Sequence, residues 1–204
     1  MTQHTLQGRT DNELLWFQRR SFLQAAAAWT ALGGSDMALA QARSNIVELL
    51  GDATDNGARL RPEHANPSGG QVATGPNSTL DFVIATSAFH VRQNSRMTVE
   101  RGSALSVVGA LRLFTGAVIS VWGRGNRRQI ITPTLTAGIR GTGVYTELPE
   151  GQNGRSYFCN CYGTVDLAAG SDTTVSQSTY HQAFWGEVEP KKGAWLTPAL
   201  AINH

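Results

Sequence analysis

Cysteine is almost absent: two residues in 204, Cys159 and Cys161, which excludes a small fold stapled by several disulfides. Charge is scarce as well. Asp, Glu, Lys and Arg make up 16% of the chain and the formal net charge is +2, against the usual ~25% charged, so nothing in the balance calls for nucleic acid. No run approaches the ~18 apolar residues of a membrane-spanning helix, so no transmembrane segment is expected. There is no nucleophile-elbow motif from which to nominate a Ser-His-Asp set. The carboxylates Asp81, Glu100, Glu147 and Asp166 have no spacing that selects a glycosidase-type pair. No catalytic residue is nominated, and the protein is expected not to be an enzyme.

What the chain has instead is glycine, 22 residues, and short alternating runs. Leu80, Phe82 and Ile84 alternate with Asp81 and Val83; Phe89 and Val91 with His90 and Arg92; Met97 and Val99 with Thr98 and Glu100. Runs of about five residues separated by Ser, Asn or Gly predict an all-β, single-domain fold. A β-solenoid (β-helix-like) of short strands fits this spacing best, with a β-sandwich as the alternative. Leu111-Arg112-Leu113 and Val118–Trp122 read as two strands parted by a Thr115-Gly116 turn, and residues 51–70 as a long loop or two short turns. Residues 173–204 lose the alternation and read as a C-terminal cap or tail.

The N-terminus has a different character. Arg19-Arg20-Ser21-Phe22-Leu23, then the weakly apolar Ala25–Leu32, then Ala38-Leu39-Ala40 before Gln41, is the arrangement of a twin-arginine export signal with a small-x-small cleavage site. The apolar part is about 10 residues, half of what crosses a bilayer. Residues 1–40 are therefore expected to be a cleaved signal peptide, with residues 41–172 as the β domain of a periplasmic product.

The stretch Ile130–Tyr145 reads as strand, corner at Pro133, strand, tight Arg140-Gly141-Thr142 turn, strand. Its Gly138-x-x-Gly141-x-Gly143 spacing is not a dinucleotide fingerprint, which must open a helix and precede an acidic residue by about 20 positions. Pro133, Gly138, Arg140, Gly141 and Thr142 are expected to form a structural corner, with the guanidinium tying down carbonyls that the turn leaves unpaired. Just upstream, Gly123-Arg124-Gly125-Asn126-Arg127-Arg128 places three arginines in a glycine-rich loop able to meet phosphate or an acidic surface, although loops of this kind are usually just solvated.

Thr132-Pro133, then Ala137-Gly138-Ile139-Arg140-Gly141-Thr142, then Tyr162-Gly163-Thr164-Val165-Asp166-Leu167, resemble the closing signature of FecR-type domains. Gly69-Gly70-Gln71-Val72-Ala73-Thr74-Gly75 and Leu113-Phe114-Thr115-Gly116-Ala117-Val118 fit upstream elements, so the resemblance spans about residues 46–168. Cys159-Asn160-Cys161-Tyr162-Gly163 departs from it, standing where the family has an acidic residue and glycine. The resemblance implies a short-stranded β-rich domain that binds or scaffolds a periplasmic or membrane-associated protein partner in envelope sensing or signalling. Signalling members add a membrane helix and a cytoplasmic segment; residues 1–17 are too short for the latter, so a direct anti-sigma role is not expected.

Cys159 and Cys161 lie two apart, so a regular strand would turn both sulfurs to one side with Tyr157, Val165 and Leu167. Three readings stay open: packed thiols, a strained Cys159–Cys161 disulfide, or a thiolate pair holding copper or zinc with His181 or His204. His181 lies in the aromatic-rich Thr179-Tyr180-His181-Gln182-Ala183-Phe184-Trp185, where a lone histidine is more often a packed residue than a functional one. His64 and His90 read as a loop residue and a residue on a strand's outer face.

Overall fold

In a computed structural model of the chain, residues 44–63, 70–102, 107–125, 127–152 and 154–187 are described. The expected export segment with Arg19, Arg20, Ala38 and Ala40, and also His64 and His204, lie outside them. The described residues form fourteen strands: β1 Ile46–Leu50, β2 Ala53–Asp55, β3 Ala58–Arg59, β4 Gln71–Thr74, β5 Thr79–Ile84, β6 Ser87–Val91, β7 Arg96–Arg101, β8 Val108–Trp122, β9 Arg128–Ile131, β10 Thr136–Ile139, β11 Gly143–Leu148, β12 Ser156–Ala169, β13 Asp172–Ser178 and β14 Gln182–Gly186. The fold is all-β, and among the described residues no helix is long and apolar enough to cross a membrane.

The strands build two sheets that share β8 and β12. The first runs β1-β5-β6-β8-β11-β12-β14, the second β3-β2-β4-β7-β8-β9-β10-β12-β13. Because the shared strands pass from one sheet into the other, β8, β11, β12, β10 and β9 close into a five-stranded barrel, with the remaining strands outside it. A solenoid stacks its coils in parallel, whereas every pairing here is antiparallel except β8 with β9. The expected solenoid is therefore not confirmed. Strands of a similar length and spacing build a folded-over pair of sheets, because short alternating runs do not encode which neighbour they pair with.

The two shared strands also correct the local reading. β8 is one 15-residue strand, not two strands reversing at a turn. It pairs with β7 up to Thr115 and with β11 from Gly116, where φ is +75°. β12 makes the same passage at Gly163, φ +93°, pairing with β11 at Tyr162 and with β13 from Gly163. The register also slips beside each bend, between Arg96 and Met97 opposite β8 and between Gly143 and Val144 opposite β12. One extra residue reverses which side chains face inward. In β8 the core residues are Leu111 and Leu113 before the bend but Val118 and Trp122 after it; in β12 they are Phe158 before and Val165 and Leu167 after. Tyr157 thus lies opposite Val165 and Leu167 in facing, not beside them as strict alternation implied.

The core lies between the sheets. Phe82, Phe89, Phe158 and Phe184 come from the first and Met97, Leu111, Ile130 and Leu167 from the second, all essentially inaccessible. Each such side chain contributes about 1.5–3 kcal/mol on burial. Phe82 stacks on Phe89 at 4.9 Å, and Phe89 meets the edge of Trp122 at 5.3 Å. Residues 51–63 hold the small hairpin β2–β3 rather than only loop, turning at Asn56-Gly57 as that dipeptide favours. The described part of the expected C-terminal cap or tail supplies β13 and β14, one strand to each sheet.

A Cβ at Gly163 would lie 2.5 Å from Thr142 Cγ2, whereas one at Gly57, φ +80°, meets nothing within 4 Å. Gly57→Ala is expected to cost about 1–2 kcal/mol from backbone strain alone, and Gly163→Ala more than that, because Thr142 must also move. Denaturant titration of the two variants checks the order; equal losses would mean that Gly163 is not a packing constraint.

Candidate functional site

The β12 bulge falls on Cys161: Tyr162 pairs with Gly143 and Asn160 with Val144, leaving Cys161 unopposed on β11. Cys159, before it, is in register with Tyr145 on one side and Ala183 on the other. These belong to a row crossing the first sheet, Asp81, His90, Ile119, Tyr145, Cys159 and Ala183, each the direct partner of the next. Direct antiparallel partners share a face, and this face is opposite the one that carries Phe82, Phe89 and Phe158 into the core. Around Cys159 the face is aromatic: Tyr157 contacts Tyr145 at 6.0 Å and Trp185 at 5.1 Å, and the Arg155 guanidinium lies 4.5 Å over the Trp185 ring.

His181 sits between β13 and β14, and its backbone brings it back over β12. Its φ is +37°, a left-handed conformation uncommon outside glycine but enriched in histidine. Its N–H donates to the Cys161 carbonyl at 3.1 Å, and its Nδ1 lies 3.6 Å from the Cys159 Sγ. The ring meets Tyr180 edge-on at 4.7 Å. One ligand atom each from Cys159, Cys161 and His181 lie within 4.8 Å of one another. Both cysteines are free thiols, Cys159 buried and Cys161 half-buried.

A polar network on the inner side of β12 holds this geometry. Asn160, wholly buried, donates Nδ2 to the Gly163 carbonyl at 3.0 Å and to Ser176 Oγ at 2.9 Å; Ser176 Oγ donates to Gln182 Oε1 at 2.7 Å. Asn160, Ser176 and Gln182 thus tie β12, β13 and β14 together next to the turn that carries His181. This network has no hydrophobic periodicity, so sequence reasoning missed it; the buried amide of Asn160 between the two cysteines was its only trace.

Two thiols and an imidazole are the kind of donor set that a tetrahedral soft-metal centre would use. With metal–sulfur and metal–nitrogen bonds of ordinary zinc length, adjacent sulfur and nitrogen ligands stand about 3.6 Å apart and two sulfurs about 3.8 Å. The Cys159–His181 separation of 3.6 Å already matches. All three donor atoms lie within 4.8 Å of one another, so the longest separation exceeds bonded-ligand spacing by about 1 Å. As it stands the Cys159 thiol is pushed well above its ordinary pKa, first by its hydrogen bond with Cys161, then by burial and by the charge of Cys161, with the backbone at Gln182 opposing. Metal must displace that proton on binding.

The other nominated residues lie elsewhere. Arg140, Gly141 and Thr142 form the turn in which the chain leaves the second sheet at β10 and enters the first at β11. The Arg140 guanidinium reaches Asp166 Oδ2, at 3.1 Å from Nε and 2.6 Å from Nη2, and not the turn carbonyls; the Thr142 carbonyl accepts from the Trp122 N–H at 2.9 Å. Pro133 lies in the turn between β9 and β10, closed by Thr132 Oγ1 and the Leu135 carbonyl at 3.1 Å. Gly138 is not at a corner but inside β10, opposite Asp166 and Gln129. Asp81 pairs with His90, Glu100 with Arg112, and Asp166 with Arg140, while Glu147 accepts from the Tyr145 hydroxyl at 2.6 Å; these carboxylates stay in separate partnerships.

No family model matches the chain, and no curated protein does. Among solved structures, a candidate anti-sigma factor from Parabacteroides distasonis is similar over 56% of this chain and 54% of its own, with a TM-score of 0.47 and 8% sequence identity. The chain thus spans about half the length of that protein, and a likeness at this level carries no argument about family or function.

Burial and the raised pKa both keep Cys159 in its thiol form, and each pKa unit removes about nine-tenths of the reactive thiolate. Brief alkylation of the metal-free protein is expected to label Cys161 at least about tenfold faster than Cys159. Tandem mass spectrometry of the peptide that carries both reads the order, and equal labelling would contradict the burial seen here.

Proposed function

We propose that this protein is a non-catalytic binding domain that holds a soft metal ion, copper or zinc, through Cys159, Cys161 and His181. The observation that carries the reading is the convergence of the three donor atoms within 4.8 Å, from two strand positions and a turn that is twenty residues further along the chain. Thiolate and imidazole together suit copper(I) and zinc and disfavour calcium or magnesium. Purified protein loaded with zinc or copper(I) is expected to bind about one equivalent and to melt higher, by about 2.7 kcal/mol at a hundredfold excess over Kd. A Cys159→Ser, Cys161→Ser double variant loses the metal, and His181→Ala weakens it. Two free thiols with no metal uptake would sink the centre; loss of both thiols without metal would indicate the thiol-redox alternative.

A second reading concerns setting. What supports it is that Arg140-Gly141-Thr142, the core of the FecR-type resemblance, makes the corner that joins the two sheets, together with the Arg19-Arg20 and Ala38-Leu39-Ala40 pattern. On this reading the domain is exported through the twin-arginine route and scaffolds a protein partner in periplasmic sensing or signalling. Tagged full-length protein is expected in the periplasmic fraction with an enriched partner. The Arg19→Lys, Arg20→Lys variant should stay in the cytoplasm; unchanged delivery would contradict the route, and an empty capture at several salt concentrations the scaffold.

A further inference from the structure

The three arginines of the 123–128 loop do not share a role. Arg128 turns inward: 4% exposed, it donates Nη1 to the Gly123 carbonyl at 2.9 Å and to Ser87 Oγ at 3.2 Å, and lies over the Trp122 ring at 5.9 Å. Arg124 and Arg127 turn outward and meet Arg140 from the Arg-Gly-Thr corner, so that Arg124, Gly125, Arg127 and Arg140 line a depression of about 390 Å³. Two separate turns, some fifteen residues apart in sequence, are packed to make it. A Cβ at Gly141, φ +73°, would lie 3.0 Å from Arg124 Cγ and 3.3 Å from its Cα, so the corner's glycine is what lets the turns approach.

We propose that Arg124, Arg127 and Arg140 bind a dianionic phosphate monoester group. The charge count points there. Against three guanidinium groups one carboxylate among the described residues is within reach, Asp166, at 2.6 Å from Arg140 and 3.7 Å from Arg127. Three positive charges less one negative leave two in excess, which a phosphate dianion neutralises and a carboxylate does not. Among the described residues Arg124 makes no ion pair. Asp166 takes the Nε and Nη2 donors of Arg140 on one oxygen, which orients that guanidinium while leaving donors for a ligand. Forked, planar donors match phosphate oxygens in pairs, and the volume of about 390 Å³ is ample for a phosphate group. The site is independent of the thiol–imidazole cluster and stands or falls without it. The same chemistry is offered by a soluble phosphate ester and by a lipid headgroup ending in phosphate.

The full chain is titrated with glycerol phosphate by calorimetry in a phosphate-free buffer, and in parallel sedimented with phosphatidylcholine vesicles with and without phosphatidic acid. Binding in the first arm assigns a soluble ester, and binding only to the phosphatidic acid vesicles assigns a lipid. In either case Arg124→Gln with Arg127→Gln is expected to weaken binding at least about tenfold with the melting temperature unchanged; if the pair lowers it, Arg124→Gln alone serves, since among the described residues that side chain makes no ion pair. Glycerol phosphate affinity should rise from pH 5 to 7 as the ester passes its second pKa of about 6 and gains its second negative charge. No binding in either arm, equal binding by the variants, or acetate competing as well as the phosphate ester would overturn the proposal.

Discussion

The structure depends on one backbone constraint: two long strands must each belong to two sheets. A strand that simply bent would present its alternate face to the second sheet and bury polar groups there. In both β8 and β12 a register slip and a left-handed glycine occur together, so the chain turns and exchanges its inward-facing set in the same few residues. Leu111 and Leu113 can then share one core with Val118 and Trp122, and Phe158 with Val165 and Leu167. The closed five-stranded barrel follows from these two crossings, since β9, β10 and β11 have only to bridge between them.

The candidate metal site is a by-product of the second crossing. Cys161 is the residue that the β12 slip leaves unopposed, and the same bend releases the Gly163 carbonyl to accept from Asn160 at 3.0 Å. Asn160 then holds Ser176, and Ser176 holds Gln182, so the inner face of the strand sets the position of the turn that aims His181 at the outer face. A buried polar network of this kind specifies geometry more than it adds stability. In this protein it links sheet closure to the placement of His181 beside the two cysteines.

The arginines divide along the same logic. Arg128 is spent on closing a turn, with hydrogen bonds to Ser87 and the Gly123 carbonyl, whereas Arg124 and Arg127 are left on the surface beside Arg140. Burying a guanidinium is tolerated only where acceptors meet it, and Arg128 finds them at the Gly123 carbonyl, Ser87 and Thr86. The excess charge at this edge is therefore a consequence of how the loop meets the corner, in a chain whose overall charge is nearly balanced.

Strand identity was legible in sequence: the alternation of Leu80-Phe82-Ile84, Phe89-Val91 and Met97-Val99 reports the core face directly, and Pro133 and Gly141 mark turns because of what their backbones allow; the exposed outer face expected for His90 was not found, because β6 is buried on both sides. The Cys-x-Cys pair was legible as a pair, being the only cysteines present. Its facing was not, because a one-residue slip at Cys161 reverses alternation and leaves no signal in residue type. The Thr115-Gly116 bend was visible as a break but not as a crossing, since a glycine permits a reversal and a bend alike. By itself, then, the sequence determined where strands and turns fall, through local sterics and periodicity. Which strands pair, which arginine is buried, and that His181 meets two thiols were decided only by tertiary structure, because pairing energy resides in contacts between residues far apart in the chain.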